Sequence, residues 1–379
     1  MEPKIKSLKC VKCGKEYNPD KNTLGCKEDN GYFGYLEVQY DYEKITEFPL
    51  ENEKGMARYM PLLPIINISH SLNENKTPLF ELKRFGKRFS STIWVKDETK
   101  SITGCFKDRE SFVLVNKAIE FGHSSLIIVS SGNAALSLSA YATPAGIKCT
   151  CFVPTNTLKE KKELIEFFGG STSTLGENYE DCYHKVVELD CTGWNCSSGL
   201  NPYAAEGDKT IAFEIFEELG VPDKIIVPCG NGTNLAGIYK GFKELKILGK
   251  TGKIPQMIGV QIKGQAPIAE AIKQGKLKCT ITNLKKSIAE SIVAMESYSS
   301  PKAVMAIKES GGIVVEVDDN EVSEALKELI NEESFLIEPS SASVFAALKK
   351  IPDKGENIVC VATGTGLKML EEIYKMLRE

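Results

Sequence analysis

The sequence lacks the features that place a protein in a membrane or on a nucleic acid. It has no apolar run of the ~18 residues that a membrane-spanning helix needs, and its first residues, MEPKIKSLKC, lack the apolar core of a secretory signal. Neither sign of charge predominates, because the chain has 47 Lys and Arg residues and 51 Asp and Glu residues. These absences predict a cytoplasmic protein that binds neither membranes nor nucleic acid.

The signatures of several catalytic classes are also missing. The only three histidines, His70, His123 and His184, form no HxxxH or HExxH pattern, which disfavours a histidine metal centre. No GxSxG elbow occurs, so the sequence gives no sign of a serine hydrolase. An enzyme without these groups would depend on an organic cofactor for its chemistry.

Cysteine is abundant, with twelve residues, but the residues are scattered along the chain. Several lie in apolar runs, where a cysteine acts as a small hydrophobic residue. A disulfide framework belongs to short secreted chains, and this chain has 379 residues. Only the amino-terminal cysteines have a spacing that points to a site.

Cys10, Cys13 and Cys26 lie in a cysteine- and aromatic-bearing segment that resembles a zinc ribbon. A full ribbon has two CxxC pairs, and here Asp29 stands where the fourth cysteine would be. Two interpretations remain open: a zinc site with three cysteines and one aspartate, or a small β-ribbon without metal. We expect the ribbon without a tightly held metal.

From Thr77 onward, short β-branched runs alternate with amphipathic stretches, which indicates βαβ units and an α/β fold. The predicted strands are Leu126–Val129, Cys149–Val153, Ile225–Val227, Ile258–Val260, Ile313–Val317 and Ile358–Val361. The predicted helices include Ala134–Ala142, Leu158–Phe168, Ile211–Leu219, Glu321–Ile330 and Ser341–Lys349.

Three turns that follow predicted strands are unusually rich in glycine and short polar residues: 130–133 (SSGN), 229–234 (CGNGTN) and 362–366 (ATGTG). Ligands bind beyond the carboxyl ends of strands in open α/β sheets. The turn 229–234 can curl its backbone N–H groups around a phosphate. It lacks the third glycine of GxGxxG, because residue 235 is leucine, so a monophosphate fits better than a dinucleotide.

Lys107 is the candidate nucleophile. It follows a glycine turn and Phe106 in the segment TGCFKDR and enters a predicted helix. A lysine held in such a partly apolar corner has a lowered amine pKa and favours a covalent bond to an aldehyde.

Five ordered segments resemble the fold type II pyridoxal-phosphate enzymes: ITGCFKDRES, SSGNAALSLSAYA, PCGNGTNLAGIYKGF, EPSSAS and VATGTGLK. Among them the sequence is most similar to the threonine synthases, whose segments read roughly TGSFKDR, SSGN, GNxGN, EPxSA and LTGxGLK. The amino-terminal CxxCG ribbon is similar to that family as well. The resemblance covers nearly the whole chain.

The resemblance implies pyridoxal 5′-phosphate as cofactor and a role for each matching residue. Lys107 would bind the cofactor covalently and move substrate protons, Asn133 would contact its phenolic oxygen, and Thr363 would face its pyridine nitrogen. The cofactor-binding set would also include Phe106 and the phosphate loop Gly230, Asn231, Gly232, Thr233 and Asn234. Substrate binding would involve Ser130, Ser131 and Lys209. We expect a side chain at Gly232 to obstruct the phosphate.

The sequence departs from the threonine synthase pattern at positions that bear on the substrate. The family segment NPYRxEGQKT reads NPYAAEGDKT here, so Ala204 replaces the arginine that helps to hold the substrate phosphate. Ala134 replaces a hydroxyl residue after SSGN, and Glu110 replaces the glycine after KDR. We therefore expect O-phosphohomoserine to be a poor substrate that Ala204→Arg would improve.

The resemblance implies two open twisted sheet domains of the tryptophan synthase β-like type. We assign residues 1–45 to the ribbon arm, 46–101 and 200–379 to a large cofactor-binding domain, and 102–199 to a small inserted domain, with a homodimer as the assembly. The expected function is threonine synthase-like elimination or replacement on a small amino acid. The alternative is β-replacement or β-elimination on serine, phosphoserine or threonine, as in cysteate synthases and dehydratases. A non-catalytic cofactor- or nucleotide-binding regulator is disfavoured, because binding alone needs no covalent lysine.

Overall fold

A computed structural model describes residues 4–28, 33–189 and 193–378. The chain divides into two compact units. The first unit comprises Met1–Lys76 and Lys107–Thr210, and the second comprises Thr77–Phe106 and Ile211–Glu379. Each unit is built around its own parallel sheet.

The strands and helices alternate along most of the chain. The strands are β1 (Ile5–Cys10), β2 (Glu16–Tyr17), β3 (Leu36–Tyr40), β4 (Leu79–Glu81), β5 (Thr92–Asp97), β6 (Ser125–Val129), β7 (Lys148–Val153), β8 (Ser171–Thr174), β9 (Trp194–Asn195), β10 (Lys224–Pro228), β11 (Gln256–Ile262), β12 (Ile313–Val317) and β13 (Asn357–Ala362). The helices are α1 (Lys107–Glu120), α2 (Asn133–Ala142), α3 (Lys159–Phe167), α4 (Tyr179–Glu188), α5 (Ala204–Asp208), α6 (Thr210–Leu219), α7 (Thr233–Ile247), α8 (Pro267–Lys273), α9 (Ser300–Glu309), α10 (Asp319–Glu333), α11 (Pro339–Leu348) and α12 (Leu370–Arg378).

The first unit contains a four-stranded parallel sheet in the order β8-β7-β6-β9 and a three-stranded antiparallel sheet in the order β2-β1-β3. The parallel sheet is centred on β6, whose segment SLIIV is buried from its second residue onward. Such continuous apolar runs are typical of parallel strands with both faces covered.

The second unit contains a six-stranded sheet in the order β12-β11-β10-β13-β5-β4, parallel except for β4. Its centre is β10, whose five residues KIIVP are all buried, beside β13. Fully buried side chains of these strands pack against α10 and α11 in one core. Parallel neighbours bring their carboxyl ends to the same edge of a sheet, so the loops after β10 and β13 lie side by side.

The predicted α/β class with two sheet domains and an amino-terminal antiparallel ribbon is confirmed by this architecture. Its domain limits differ from the predicted ones, because residues 46–76 group with the first unit. The reason lies on α1. Asn116 Oδ1 accepts the backbone N–H groups of Ser69 and His70, and Glu120 accepts that of Ile66. Among the described residues, no helix has both the length and the apolar character needed to cross a membrane.

The three cysteines of the ribbon lie together in the first unit. The Sγ atoms of Cys10, Cys13 and Cys26 are all within 4.8 Å of one another, and those of Cys13 and Cys26 are 3.8 Å apart. The Tyr17 hydroxyl lies 3.2 Å from Cys26 Sγ. Asp29 lies outside the described residues. Three gathered thiols keep both interpretations of the ribbon open.

We predict that the ribbon folds without a tightly held metal, because soft zinc sites gain from a complete set of thiolates. Burial also raises the pKa of the Cys10 thiol to about 11, which favours its protonated form. The measurement is metal analysis of the purified protein after dialysis against a chelator. Zinc at one equivalent per chain after that treatment would show that the prediction is wrong.

Candidate active site

The loop between β10 and α7 has the backbone geometry of an anion-binding loop. Gly232, the last residue before α7, has φ +87°, a left-handed conformation that favours glycine. A Cβ at Gly230 would lie 2.7 Å from the Ser291 carbonyl oxygen, so only glycine fits there. The loop therefore turns tightly and presents the amino end of a helix, where backbone N–H groups and the helix dipole favour an anion.

A short segment before α9 holds this loop in place. Ser297 Oγ donates to the Gly230 carbonyl at 2.5 Å, and the Ser299 N–H donates to the Asn231 carbonyl at 3.0 Å. The Thr233 and Ser299 hydroxyls are 2.9 Å apart. A residue predicted to bind phosphate, Thr233, is thus hydrogen-bonded within the second unit.

Asn234 is the group in this loop that points to a ligand. Its side chain is 5% exposed, yet neither its Oδ1 nor its Nδ2 has a hydrogen-bond partner in the part of the chain that the structure describes. A buried amide without partners is costly, so such a group marks a place for a polar ligand. The amide can both donate and accept, as the phosphate and ring substituents of a pyridoxal-phosphate cofactor require.

Thr363 follows β13, the strand that neighbours β10 in the sheet. Its hydroxyl lies 2.8 Å from that of Ser341, which is fully buried at the amino end of α11. Its carbonyl accepts the N–H of Phe106, the residue before Lys107, at 3.0 Å. The sheet therefore brings together three predicted features at one edge: the phosphate loop, Thr363 and the segment that leads to Lys107.

Ser341 was missed as a site residue. It lies in EPSSAS, one of the five segments that carry the family resemblance. Ser341 Oγ accepts the Gly364 N–H at 2.9 Å, so it fixes both the hydroxyl and the backbone that follow β13.

Lys107 is the first residue of α1, and its amine has acidic and hydroxyl neighbours. Lys107 Nζ lies 2.6 Å from Glu110 Oε1, one turn along the helix, and 3.2 Å from Ser198 Oγ. Ser198 in turn donates to the other oxygen of Glu110. The Lys107 side chain is 17% exposed and that of Glu110 is 3% exposed, so the amine sits at the rim of a buried polar cluster.

Asp208 completes this cluster. It is fully buried, and among the described residues neither of its carboxylate oxygens has a hydrogen-bond donor. Burial raises the pKa of Asp208 well above its usual range, and the nearby charge of Glu110 adds to the rise while those of Lys107 and Arg109 oppose it. A carboxyl group in these surroundings holds its proton.

The loop after β6 carries three further predicted residues, Ser130, Ser131 and Asn133. Asn133 begins α2, and one turn later Ser137 Oγ donates to Asp108 Oδ1 at 2.7 Å. This bond brings the first turns of α1 and α2 together. Ser130 and Ser131 are both half-buried, as expected of groups that receive a ligand.

Lys209 is the one predicted site residue that the structure places elsewhere. Its side chain is fully buried, its amine lies 2.6 Å from Glu206 Oε2, and it stands 4.1 Å above the ring of Tyr40. The same Glu206 oxygen accepts the Tyr40 hydroxyl. Lys209 therefore joins α5 to the ribbon strand β3, and its role in substrate binding stays a prediction.

The structure adds a packing constraint at Gly232, and its expected effect on phosphate binding stays a prediction. A Cβ at this position would lie 2.8 Å from the Cβ of Ala303 and 3.2 Å from Cδ1 of Ile268. It would therefore meet side chains of the second unit. A substitution there acts on the shape of the loop.

Comparison with known families places these residues in context. The model of the family described as "Pyridoxal-phosphate dependent enzyme" matches residues 70–364. The chain belongs to this family. Its cofactor is pyridoxal 5′-phosphate, and the chain is a pyridoxal-phosphate-dependent enzyme with threonine synthase homologues.

The curated relatives of this family member extend over nearly its whole length. A threonine synthase of Methanocaldococcus jannaschii is 37% identical over 377 residues, covering 95% of this chain and 92% of the relative. One of Methanosarcina acetivorans is 34% identical over 395 residues, covering 98% of this chain and 94% of the relative. The chain is therefore threonine synthase-like over its full architecture.

Solved structures support the fold. A fungal L-serine ammonia-lyase from Rhizomucor miehei has a TM-score of 0.70 at 20% identity and covers 80% of this chain and 98% of its own. Threonine deaminase isoform 2 from Solanum lycopersicum has a TM-score of 0.67 at 22% identity, covering 80% and 87%. Both are similar to this chain in fold.

We predict that Gly232→Val destabilises the second unit more than Gly220→Val does. Both glycines have positive φ, +87° and +80°, a conformation that costs a valine roughly 1–2 kcal/mol. At Gly220 a Cβ meets no described atom within 4 Å, whereas at Gly232 it meets Ala303. Denaturant unfolding of both variants measures the difference. Equal free energies of unfolding would contradict the role of close packing at Gly232.

Proposed function

We propose that this chain catalyses elimination or replacement at Cβ or Cγ of a small amino acid, as a threonine synthase-like lyase. The observation that carries the proposal is the Lys107 amine at the start of α1, within reach of Ser198 and Glu110. The similarity to threonine synthases over more than nine-tenths of the chain supports it. When bound, pyridoxal phosphate supplies an electron sink that acidifies the Cα–H bond of an amino acid.

The residues of the chain divide the remaining tasks. Lys107 would hold the cofactor and would take the Cα proton of the substrate, since a positioned amine serves both as nucleophile and as base. The loop Gly230–Asn234 binds the cofactor phosphate, and Asn133 contacts the cofactor ring. Ser130 and Ser131 bind the substrate carboxylate at the amino end of α2.

Thr363 orients the reaction toward elimination. As a neutral hydroxyl at the pyridine nitrogen, it leaves the ring less electron-withdrawing than a carboxylate would. The bond to Ser341 supports this assignment, because it holds the Thr363 hydroxyl in a buried position with a neutral partner. A carboxylate is the arrangement that favours transamination.

The substrate of the threonine synthases, a phosphate ester, has few partners in this chain. Ala204 is fully buried and carries no donor where the family pattern has arginine, the preferred bidentate partner of phosphate. Ala134 likewise replaces a hydroxyl. These positions favour the second candidate function, elimination or replacement on an unphosphorylated amino acid such as serine or threonine.

Two expectations about the whole protein stay predictions. We propose a homodimer and a cytoplasmic location. Sedimentation of the holoenzyme tests the first, and a value that corresponds to a monomer would contradict it.

We predict that Lys107→Ala abolishes the covalent cofactor adduct that borohydride traps in the wild type, and with it turnover. The matched control is Lys100→Ala, which removes an exposed lysine close in sequence and should keep the adduct. Peptide mapping by mass spectrometry identifies the labelled lysine. An adduct on a lysine other than Lys107 would contradict the assignment.

We predict that O-phosphohomoserine is a poor substrate, with kcat/KM below the ~10⁴ M⁻¹s⁻¹ of a typical enzyme. Asp208 lies one turn after Ala204 in α5, so an arginine introduced at position 204 would face this carboxyl group. The double variant Ala204→Arg, Asp208→Gln restores the family pattern and should use the phosphate ester better than Ala204→Arg alone. Steady-state kinetics decide this, and efficient threonine formation by the wild type would contradict the prediction.

A further inference from the structure

Two carboxyl groups stand beside the Lys107 amine where the threonine synthase pattern has none. Glu110 replaces the glycine that follows KDR, and Asp208 replaces the glutamine of EGQKT. They come from different helices, α1 and α5, and meet in the first unit. Both substitutions add an acid at the same place, which points to one shared task.

Close packing fixes this pair. A Cβ at Gly207 would lie 2.0 Å from the Arg109 carbonyl oxygen and 2.8 Å from the Glu110 nitrogen, so α5 can approach α1 only with glycine there. Arg109, buried, donates to Thr210 Oγ1 at 2.8 Å just beyond α5. These contacts fix the backbone on both sides of Asp208 against the first turn of α1, which carries Glu110.

Asp208 is the group that indicates a function beyond structure. It is a fully buried carboxyl group that receives no hydrogen bond from an N–H or hydroxyl group of the described residues, and it lies within hydrogen-bonding reach of the carboxyl group of Glu110. Two carboxyl groups in contact are stable only when they share a proton between them. The pair is therefore a proton store beside a reactive amine.

We propose that the Glu110–Asp208 pair gives its proton to the leaving group of the substrate, and that the substrate is a β-hydroxy amino acid. This inference rests on the proposed function and specifies its substrate class. Hydroxide is a poor leaving group because it is a strong base, so it departs readily only when a proton is supplied to it. A phosphate leaves without such help, and two adjacent carboxyl groups repel it.

The step balances without an oxidant or reductant. The Cα–H bond breaks and its proton goes to Lys107 Nζ, while the electron pair forms the Cα–Cβ double bond. The Cβ–O bond breaks, its electron pair leaves on oxygen, and the carboxyl pair protonates that oxygen to give water. Lys107 then returns its proton to Glu110 across the 2.6 Å contact between Nζ and Oε1. Hydrolysis of the eliminated product yields a 2-oxo acid and ammonia.

The surroundings of Asp208 favour its protonated form. The raised pKa of Asp208 arises from burial and from Glu110, against the opposing charges of Lys107 and Arg109. The neighbouring charged residues have other partners. Asp108 accepts a hydrogen bond from the Ser137 hydroxyl, and Lys209 forms an ion pair with Glu206. Since the acid form is required, activity on a hydroxy amino acid is present below the raised pKa of Asp208 and is lost as the pH rises through it.

The experiment compares two leaving groups on the same holoenzyme. L-Serine needs a proton for its hydroxyl, whereas 3-chloro-L-alanine loses chloride without one, and both yield pyruvate. We expect the ratio of kcat/KM for serine to that for chloroalanine to fall about 100-fold or more in Glu110→Gln and in Asp208→Asn. The ratio does not depend on the fraction of folded enzyme. Glu120→Gln, which removes a carboxyl group at the far end of α1, should keep the wild-type ratio.

The outcomes separate this inference from the proposed function. If either Glu110→Gln or Asp208→Asn keeps the wild-type ratio of kcat/KM for serine to that for chloroalanine, the inference is overturned. So would a wild-type enzyme that acts on chloroalanine but not on serine, or one that prefers O-phosphoserine to serine. A wild type that forms pyruvate or another elimination product from no amino acid contradicts the proposed function itself. If the ratio of kcat/KM for serine to that for chloroalanine falls in both variants and stays at the wild-type value in Glu120→Gln, the result supports the pair as the proton donor.

Discussion

The contact between Lys107 and Glu110 is the interaction on which the proposed chemistry depends. The Glu110 side chain is 3% exposed, and a carboxylate buried to that extent needs a nearby cation or a proton. The Lys107 amine provides the cation, and the Asp208 carboxyl group provides the proton. The same contact holds the amine at the first turn of α1, where Ser198 also reaches it. Position, charge and proton supply therefore come from one small cluster, and the cluster exists because α5 packs on α1 through Gly207.

The phosphate loop depends on a different constraint, the order of strands in the second sheet. Because β10 and β13 are parallel neighbours, the loop Gly230–Asn234 and Thr363 emerge at the same edge, as ligand loops do in open α/β sheets. Glycine at 230 and 232 lets the backbone turn, and Ser297 and Ser299 hold it. The unpartnered amide of Asn234 is what this rigid frame leaves for a ligand.

Strands with strong apolar runs were predictable: β10 and β13 coincide with the predicted Ile225–Val227 and Ile358–Val361. The short strand β9 carries only two residues, WN, and leaves no pattern to recognise. The turns after strands predicted the phosphate loop, but local sequence could not reveal that Asp208 meets Glu110, since the two are far apart in the chain. The contacts of Lys209 were not predictable for the same reason: its partners, Glu206 and Tyr40, include a residue of the distant ribbon.

The central claim is that proton transfer from the Glu110–Asp208 pair accompanies departure of the leaving group. The most direct measurement is the solvent deuterium isotope effect on kcat of the wild-type holoenzyme, with L-serine and with 3-chloro-L-alanine. The account predicts a larger effect for serine, because only its hydroxyl takes a proton from an exchangeable carboxyl group as the bond breaks. Equal isotope effects for the two substrates would contradict it.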